Sequence, residues 1–295
     1  MTVRIGTNPI AWSNDDLPEL GGETPLEVCL SEARAAGYTG IELGNKFPRH
    51  PDVLAPILKN HDLALVSGWY SANLLHRSAE DEIAAMQPHL KLLQALGCAV
   101  MVFAETAGAV HGDRAVPLSR RPILENAQWQ PFTERLTEVA NYLQGQNMAM
   151  AYHHHMGTVI ETADEVDRLM ADTVPSVGLL IDTGHLTFAG ADPADVYRRH
   201  AARVRHIHCK DVRPEILTNA TARDASFLDA VIEGVFTVPG DGAVKFDAVL
   251  AVAAEFGYEG WLVVEAEQDP AKSNPLQYAS LGYRNLAGLV EAAGV

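Results

Sequence analysis

Short apolar runs that end on a polar residue and give way to a helical pattern recur along the whole of this 295-residue chain. The runs are Val3–Asn8, Gly40–Leu43, Ala64–Gly68, Ala99–Ala104, Met148–His153, Val177–Asp182, Val204–His208 and Trp261–Glu265. Val, Ile, Leu and Met dominate them, and Gly or polar residues bound them, which is the signature of buried strands. Helical periodicity fills the intervals at Pro25–Ala36, Asp81–Leu96, Trp129–Gln146, Thr162–Asp172, Pro193–Ala202 and Phe246–Phe256. Thr24 is expected to cap the first of these, with Pro25 at its first helical position. Strands alternating with helices require a parallel sheet, because parallel neighbours are joined only by long crossovers. Eight strands close a barrel, and about 250 residues plus insertions is its usual size. The rival open sheet lacks its Gly-rich turn after the first strand. The expected fold is therefore α/β, a (β/α)8 TIM barrel forming one domain over residues 1–295. Arg213–Thr237 is a longer excursion, and its apolar part, Phe227–Phe236, is expected to form a helix that caps the barrel or covers the site.

In such a barrel the chemistry sits at the C-terminal ends of the strands. Strand one ends in Asn8, with Trp12 in the loop beyond, strand two in Glu42, and strand four leads into Glu105. Strand five ends in His153-His154-His155, strand six in Asp182-Thr183-Gly184-His185, strand seven in His208-Cys209-Lys210-Asp211, and strand eight in Glu265-Ala266-Glu267. Buried carboxylates demand partners, and a divalent cation supplies one. Carboxylate plus imidazole suits Mn, Co, Fe or Zn and excludes an all-thiolate zinc site. Asp182, His208 and Glu265 end three successive strands and can converge on one ion. Period-two alternation puts His153 and His155 on one face and His154 on the other, so one of the first two can be a fourth ligand and the other can meet substrate. Each residue also has a plainer role open to it. Asp182 can cap the next helix, Glu265 can pair with a lysine, Lys210 and Asp211 can form a surface ion pair, and Glu42 and Glu105 can be polar walls or caps. Cys209 reads as packing, and Pro239–Gly242 as a turn.

Charge narrows the partners. Lys and Arg number 22 against 38 Asp and Glu, a net charge of -16, which repels phosphate backbones and argues against nucleic-acid binding and phosphoesterase chemistry. No stretch nears the roughly 18 apolar residues of a membrane span, and the first residues carry no apolar signal region. Cys29, Cys98 and Cys209 have no motif spacing, so the expected compartment is the reducing cytoplasm. Nothing in the sequence sets the oligomeric state, and a homo-oligomer stays open.

Several strings, in order along the chain, carry a resemblance: GTNPIAWSNDDLPELGGETPLE, AYHHHMGTV, DTGHLTFAG, HIHCKDVRPE, VPGDG and LVVEAEQDP. They resemble the inosose dehydratase family (2-keto-myo-inositol dehydratases) within the xylose-isomerase-like barrels. The resemblance implies a hydro-lyase of inositol catabolism that takes a cyclic polyol ketone, 2-inosose, to a trihydroxycyclohexane-1,2-dione. It implies a divalent metal, Mn or Co first and Zn, Fe or Mg next, and the family is also described as using glutathione. The superfamily's usual ligands are Glu, Asp, His and Glu. Asp182, His208 and Glu265 match three of them, and His153 stands where strand five would carry the remaining Glu. Glu267, His155 and Lys210 are the candidates for proton transfer, with Lys210 alternatively holding an oxyanion. Asn8, Trp12, Glu42, Glu105 and His185 are expected to bind the ring and its hydroxyls, Trp12 through an apolar face. A keto-sugar epimerase or isomerase on the same site and a non-catalytic polyol-binding barrel are the alternatives.

Overall fold

Every one of the apolar runs becomes a strand in the computed structural model, which describes residues 3–295. The strands are β1 (Arg4–Thr7), β2 (Gly40–Leu43), β3 (Ala64–Ala72), β4 (Val100–Glu105), β5 (Ala149–His153), β6 (Val177–Asp182), β7 (Val204–Cys209) and β10 (Trp261–Val264). They close into a barrel in the order β1-β10-β7-β6-β5-β4-β3-β2, each pair parallel. β3 runs past the expected Gly68 because Trp69–Ala72 find partners in Val102–Glu105 of β4.

Helices α1 (Leu26–Ala36), α2 (Pro51–Asn60), α3 (Ala79–Ala95), α4 (Asn126–Gly145), α5 (Ala163–Ala171), α7 (Pro193–His200), α10 (Phe246–Glu255) and α11 (Pro275–Ala293) supply the crossovers and the closing helix. The start of α1 differs from expectation. Pro25 is itself the cap, without a side-chain bond, and the Thr24 carbonyl is held by Lys46 Nζ at 2.5 Å. A lysine that also takes the carbonyls of Gly21 and Gly22 fixes the loop instead.

The alternation of each strand decides which side chains can reach the site. Ile41, Phe103, Tyr152, Ile181, Ile207 and Leu262 face the helices in one large cluster. Val66, Trp261 and Val263, and separately Val102, Ala151 and Leu180, fill the barrel interior. Gly40 makes this possible, since a Cβ there would lie 2.5 Å from the Trp261 ring and 2.6 Å from Val66. A step of two from the interior residues reaches His153, Asp182 and Glu265, and the same step from Gly40 reaches Glu42. A step of two from helix-facing Phe103 reaches Glu105.

Above the barrel mouth lie α6 (Thr183–Phe188), α8 (Pro214–Ala222) and α9 (Phe227–Glu233), with an antiparallel ribbon of β8 (Asp211–Val212) and β9 (Phe236–Thr237). The excursion thus holds two helices where one over Phe227–Phe236 was expected. Gly234, with φ of 87°, ends α9 and returns Phe236 to the ribbon. Asp211 is buried and accepts the backbone N–H groups of Val212, Gly240, Gly242 and Val244, so it holds the Pro239–Gly242 turn and is no surface ion pair.

The outward register of Glu105 has a measurable consequence. Its carboxylate accepts the backbone N–H groups of Leu74 and Ala107, yet burial pushes it from 4.5 up to about 7. Between these values the unfolded chain carries a charge that the folded one resists, so folding stability falls as pH rises through the window. The full cost is about 3 kcal/mol. Glu105→Gln should flatten that part of the stability profile relative to the parent, as read by urea unfolding at pH 5 and pH 7.5.

Candidate metal centre and active site

Four strand ends bring the nitrogen and oxygen donors of His153, Asp182, His208 and Glu265 within 4.8 Å of one another, all buried. Local bonding leaves one atom of His153, Asp182 and His208 turned to the common point. Asp182 Oδ1 accepts the N–H groups of Gly184 and His185 at 2.8 Å, which caps α6, while Oδ2 has no hydrogen-bond partner. Both roles read from the sequence therefore coexist, one on each oxygen. His153 donates Nδ1–H to the His154 carbonyl at 2.6 Å, which leaves Nε2 as a lone pair 3.6 Å from Asp182 Oδ2. Burial first, then the neighbouring histidines, keep His153 well below the usual imidazole range and so neutral.

His208 is fixed from below. Its Nε2 lies 3.2 Å from Glu42 Oε1, and its Nδ1 lies 3.0 Å from Glu265 Oε2 and 3.5 Å from Asp182 Oδ2 without a hydrogen bond of its own. Burial opposes its charge, but Glu265 and Glu42 outweigh that and hold it well above the usual range. Glu42 also accepts from Ser67 Oγ at 2.6 Å, sits 2.8 Å from His206 Nε2, and takes one Asn8 amide hydrogen at 2.7 Å. Asn8 gives its other hydrogen to Glu265 Oε2 at 2.9 Å. Two orphaned buried atoms, Asp182 Oδ2 and His208 Nδ1, facing each other across a mixed carboxylate and imidazole set are what a divalent cation satisfies. The residues present fit such an ion.

A cavity of about 190 Å³ opens onto this centre. Asn8, Glu42, His153, His155, His208, Glu265 and Glu267 line its floor, and Asp15, Asp16, Arg49, Trp69 and His111 its outer wall. Trp69 sets its edge against His153 and His155, at ring separations of 5.2 and 5.5 Å. His155 donates Nδ1–H to the Met156 carbonyl at 2.8 Å, so its Nε2 is also a lone pair. Glu267 gives Oε1 to Lys210 at 2.6 Å, and its buried Oε2 is unpartnered. Burial, against the pull of Lys210, raises Glu267 to about 7.

Residues 30–286 match the family model of the xylose isomerase-like TIM barrel. The chain belongs to that family. Among its relatives, the rhizopine catabolism protein MocC of Rhizobium meliloti is 50% identical over 294 residues, 100% of this chain and 90% of that protein. An inosose dehydratase of Geobacillus thermodenitrificans is 44% identical over 279 residues, 94% of each chain. Solved structures share the fold at low identity. A xylose isomerase domain protein from Planctomyces limnophilus has a TM-score of 0.71 at 17% identity, covering 100% of this chain and 99% of that one. The IOLI protein, solved with a zinc atom, has a TM-score of 0.71 at 15% identity over 99% of each chain.

Within this family member, three expected substrate contacts lie elsewhere. Trp12, just after the turn at Pro9–Ala11, is buried outside the cavity, its Nε1 donating to Glu32 at 2.7 Å. Glu105 faces the helices, as its strand parity dictates. His185 is fully buried against Lys210, 3.0 Å from its Nζ, and does not line the cavity. Lys210 is likewise fully buried and off the cavity wall. Its ammonium is paired with Glu265 Oε1 and Glu267 Oε1, each at 2.6 Å, and lies 3.0 Å from His185 Nε2, so the frame and not the cavity engages it. Glu42 reaches the cavity, but its oxygens are occupied by His206, His208, Ser67 and Asn8. Sequence reasoning missed Trp69, His206 and the Asp15–Asp16 wall. His206 was readable, two residues before His208 on the same face.

Glu42 orients the imidazole of His208 as carboxylates behind metal-bound histidines do. Glu42→Gln should therefore weaken divalent-metal affinity about 10–100-fold while the protein stays folded. Competition against a fluorescent chelator, with circular dichroism as the folding control, measures both.

Proposed function

We propose that this chain is a metal-dependent hydro-lyase, an inosose dehydratase that removes water from 2-keto-myo-inositol to give a trihydroxycyclohexane-1,2-dione. One observation carries the reading: four convergent metal donors border a small cavity beside two groups with a free proton-transfer atom each, His155 Nε2 and Glu267 Oε2. Its nearly full-length identity to inosose dehydratases supports the substrate class. His153, Asp182, His208 and Glu265 would hold the ion, and the mixed donor set supports Mn or Co. A divalent cation there supplies Lewis-acid polarisation of the ketone or the adjacent hydroxyl oxygen.

The chain's own groups carry the protons. The carbon beside the ketone has an acidic hydrogen, and the next carbon bears the departing hydroxyl. His155 Nε2, a lone pair facing the cavity, takes the hydrogen, and Glu267 Oε2 delivers a proton to the hydroxyl as it leaves. The enol so formed relaxes to the diketone. Lys210 holds Glu267 in place and does not touch substrate. Trp69 takes the part of the apolar wall, and Asp15, Asp16 and Arg49 face the ring hydroxyls. Cys29, Cys98 and Cys209 are buried and unpaired, which supports a reducing cytoplasmic setting.

Metal-loaded protein incubated with 2-inosose should generate the ultraviolet absorbance of the diketone, and chelation should abolish it until Mn or Co is returned. Exchange of the substrate's α-hydrogen in deuterated water without new absorbance would turn the assignment to an epimerase. Turnover by rigorously metal-free protein would end the metal-dependent reading. Glu265→Gln should lower metal content and activity together. Glu267→Gln should keep its metal and lose about 10²–10⁴-fold in kcat, and the reverse pattern in metal analysis would exchange the two roles.

A further inference from the structure

Beside the centre already described lies a second group of potential ligands. His155, His185 and Glu267 place donor atoms within 4.8 Å of one another, all three buried. Two of these donors are already engaged by one cation. Lys210 Nζ stands 3.0 Å from His185 Nε2 and 2.6 Å from Glu267 Oε1. Its third contact, 2.6 Å to Glu265 Oε1, ties it to the primary donor set, and the Phe236 ring covers it at 4.6 Å. The protein makes deliberate room for this side chain. A Cβ on Gly184 would come within 2.5 Å of Lys210 Cγ, 2.7 Å of Cδ and 2.8 Å of Cβ, so only glycine there admits the lysine stem.

We infer that Lys210 is a built-in cation that fills a latent second metal position between His185 and Glu267 and so restricts the centre to one divalent ion. The inference rests on the metal-dependent reading and extends it. Three carboxylates (Asp182, Glu265 and Glu267) and four imidazoles (His153, His155, His185 and His208) crowd the region, enough donors for two ions. An ammonium pairs with both inner carboxylates, beside His185, with one charge and no exchangeable ligand. Its carboxylate partners are thereby kept apart in function: Glu265 Oε2 stays turned to His208 and Asn8 on the primary side, and Glu267 Oε2 is left for proton transfer. A second dication on Glu267 would take the proton-carrying oxygen out of use.

Manganese titration of the full-length chain tests this through stoichiometry and through the electron paramagnetic resonance spectrum. The parent should bind one equivalent with the six-line signal of an isolated ion. Lys210→Gln, which removes the charge but keeps a polar side chain, should bind a second equivalent, with the six-line signal broadened by a neighbouring ion. Gly184→Ala, which displaces the lysine without deleting it, should shift binding the same way, and either variant suffices if the other fails to fold by circular dichroism. Two equivalents in the parent, or one equivalent in both parent and folded variants, would overturn the role of Lys210 alone. No bound manganese in the parent would overturn the primary centre as well.

Discussion

Carboxylates gathered in a low-dielectric barrel mouth repel one another and lose their hydration, and the upper half of this structure is organised around that cost. Glu42, Asp182, Glu265 and Glu267 are all buried. Lys210 neutralises two of them directly, and its ammonium keeps its charge because Glu265, Glu267 and Asp182 outweigh the burial that opposes it. Glu42 is held well below the usual carboxylate range, against burial, by His208 and His206. Asp182 Oδ2 and His208 Nδ1 still lack a hydrogen-bond partner, and a divalent ion between them would answer that demand.

The barrel itself was legible because its signal is periodic and local. Apolar runs marked strand positions, and polar run ends marked the candidate metal donors His153, Asp182, His208 and Glu265, which the fold brings within 4.8 Å of one another. The same periodicity held the information that removes Glu105. Phe103 packs on helices, and Glu105 shares its parity, so the residue that looked like a strand-end site carboxylate had to face outward. Trp12 failed for a different reason. It lies beyond the strand, where a 3₁₀ turn and a hydrogen bond to Glu32 set its direction, and no period reports on either. Trp69 was hidden by an early stop at Gly68, since only pairing with β4 shows that β3 continues. The wall formed by Asp15 and Asp16 depends on a loop whose course is fixed by Lys46 gripping three carbonyls, a tertiary contact with no local signature.

Lys210 illustrates the limit of reading single residues for chemistry. A lysine beside a candidate site suggests a proton donor or an oxyanion holder, and both require a free hydrogen facing substrate. Here the ammonium is paired with Glu265 and Glu267, beside His185 and off the cavity wall, which makes the side chain part of the frame. The glycine of the DTGH string, Gly184, is required by the volume of that lysine stem.

A common device runs through the whole site: each polar side chain has two faces, and the fold occupies one of them. Asp182 spends Oδ1 on the α6 cap and leaves Oδ2. His153 and His155 spend Nδ1–H on neighbouring carbonyls and leave Nε2. His208 turns Nε2 to Glu42 and leaves Nδ1. Glu267 spends Oε1 on Lys210 and leaves Oε2, whereas Glu265 spends Oε1 on Lys210 and shares Oε2 with Asn8. The occupied atom fixes rotamer and tautomer, so the free atom is aimed before any ligand arrives, and little ordering entropy remains to be lost on binding. This is also why a carboxylate at these positions is not interchangeable with its amide. The amide keeps the shape, but it places an N–H on one of two faces that must both accept, so either the bond to the frame or the bond to the ligand is lost.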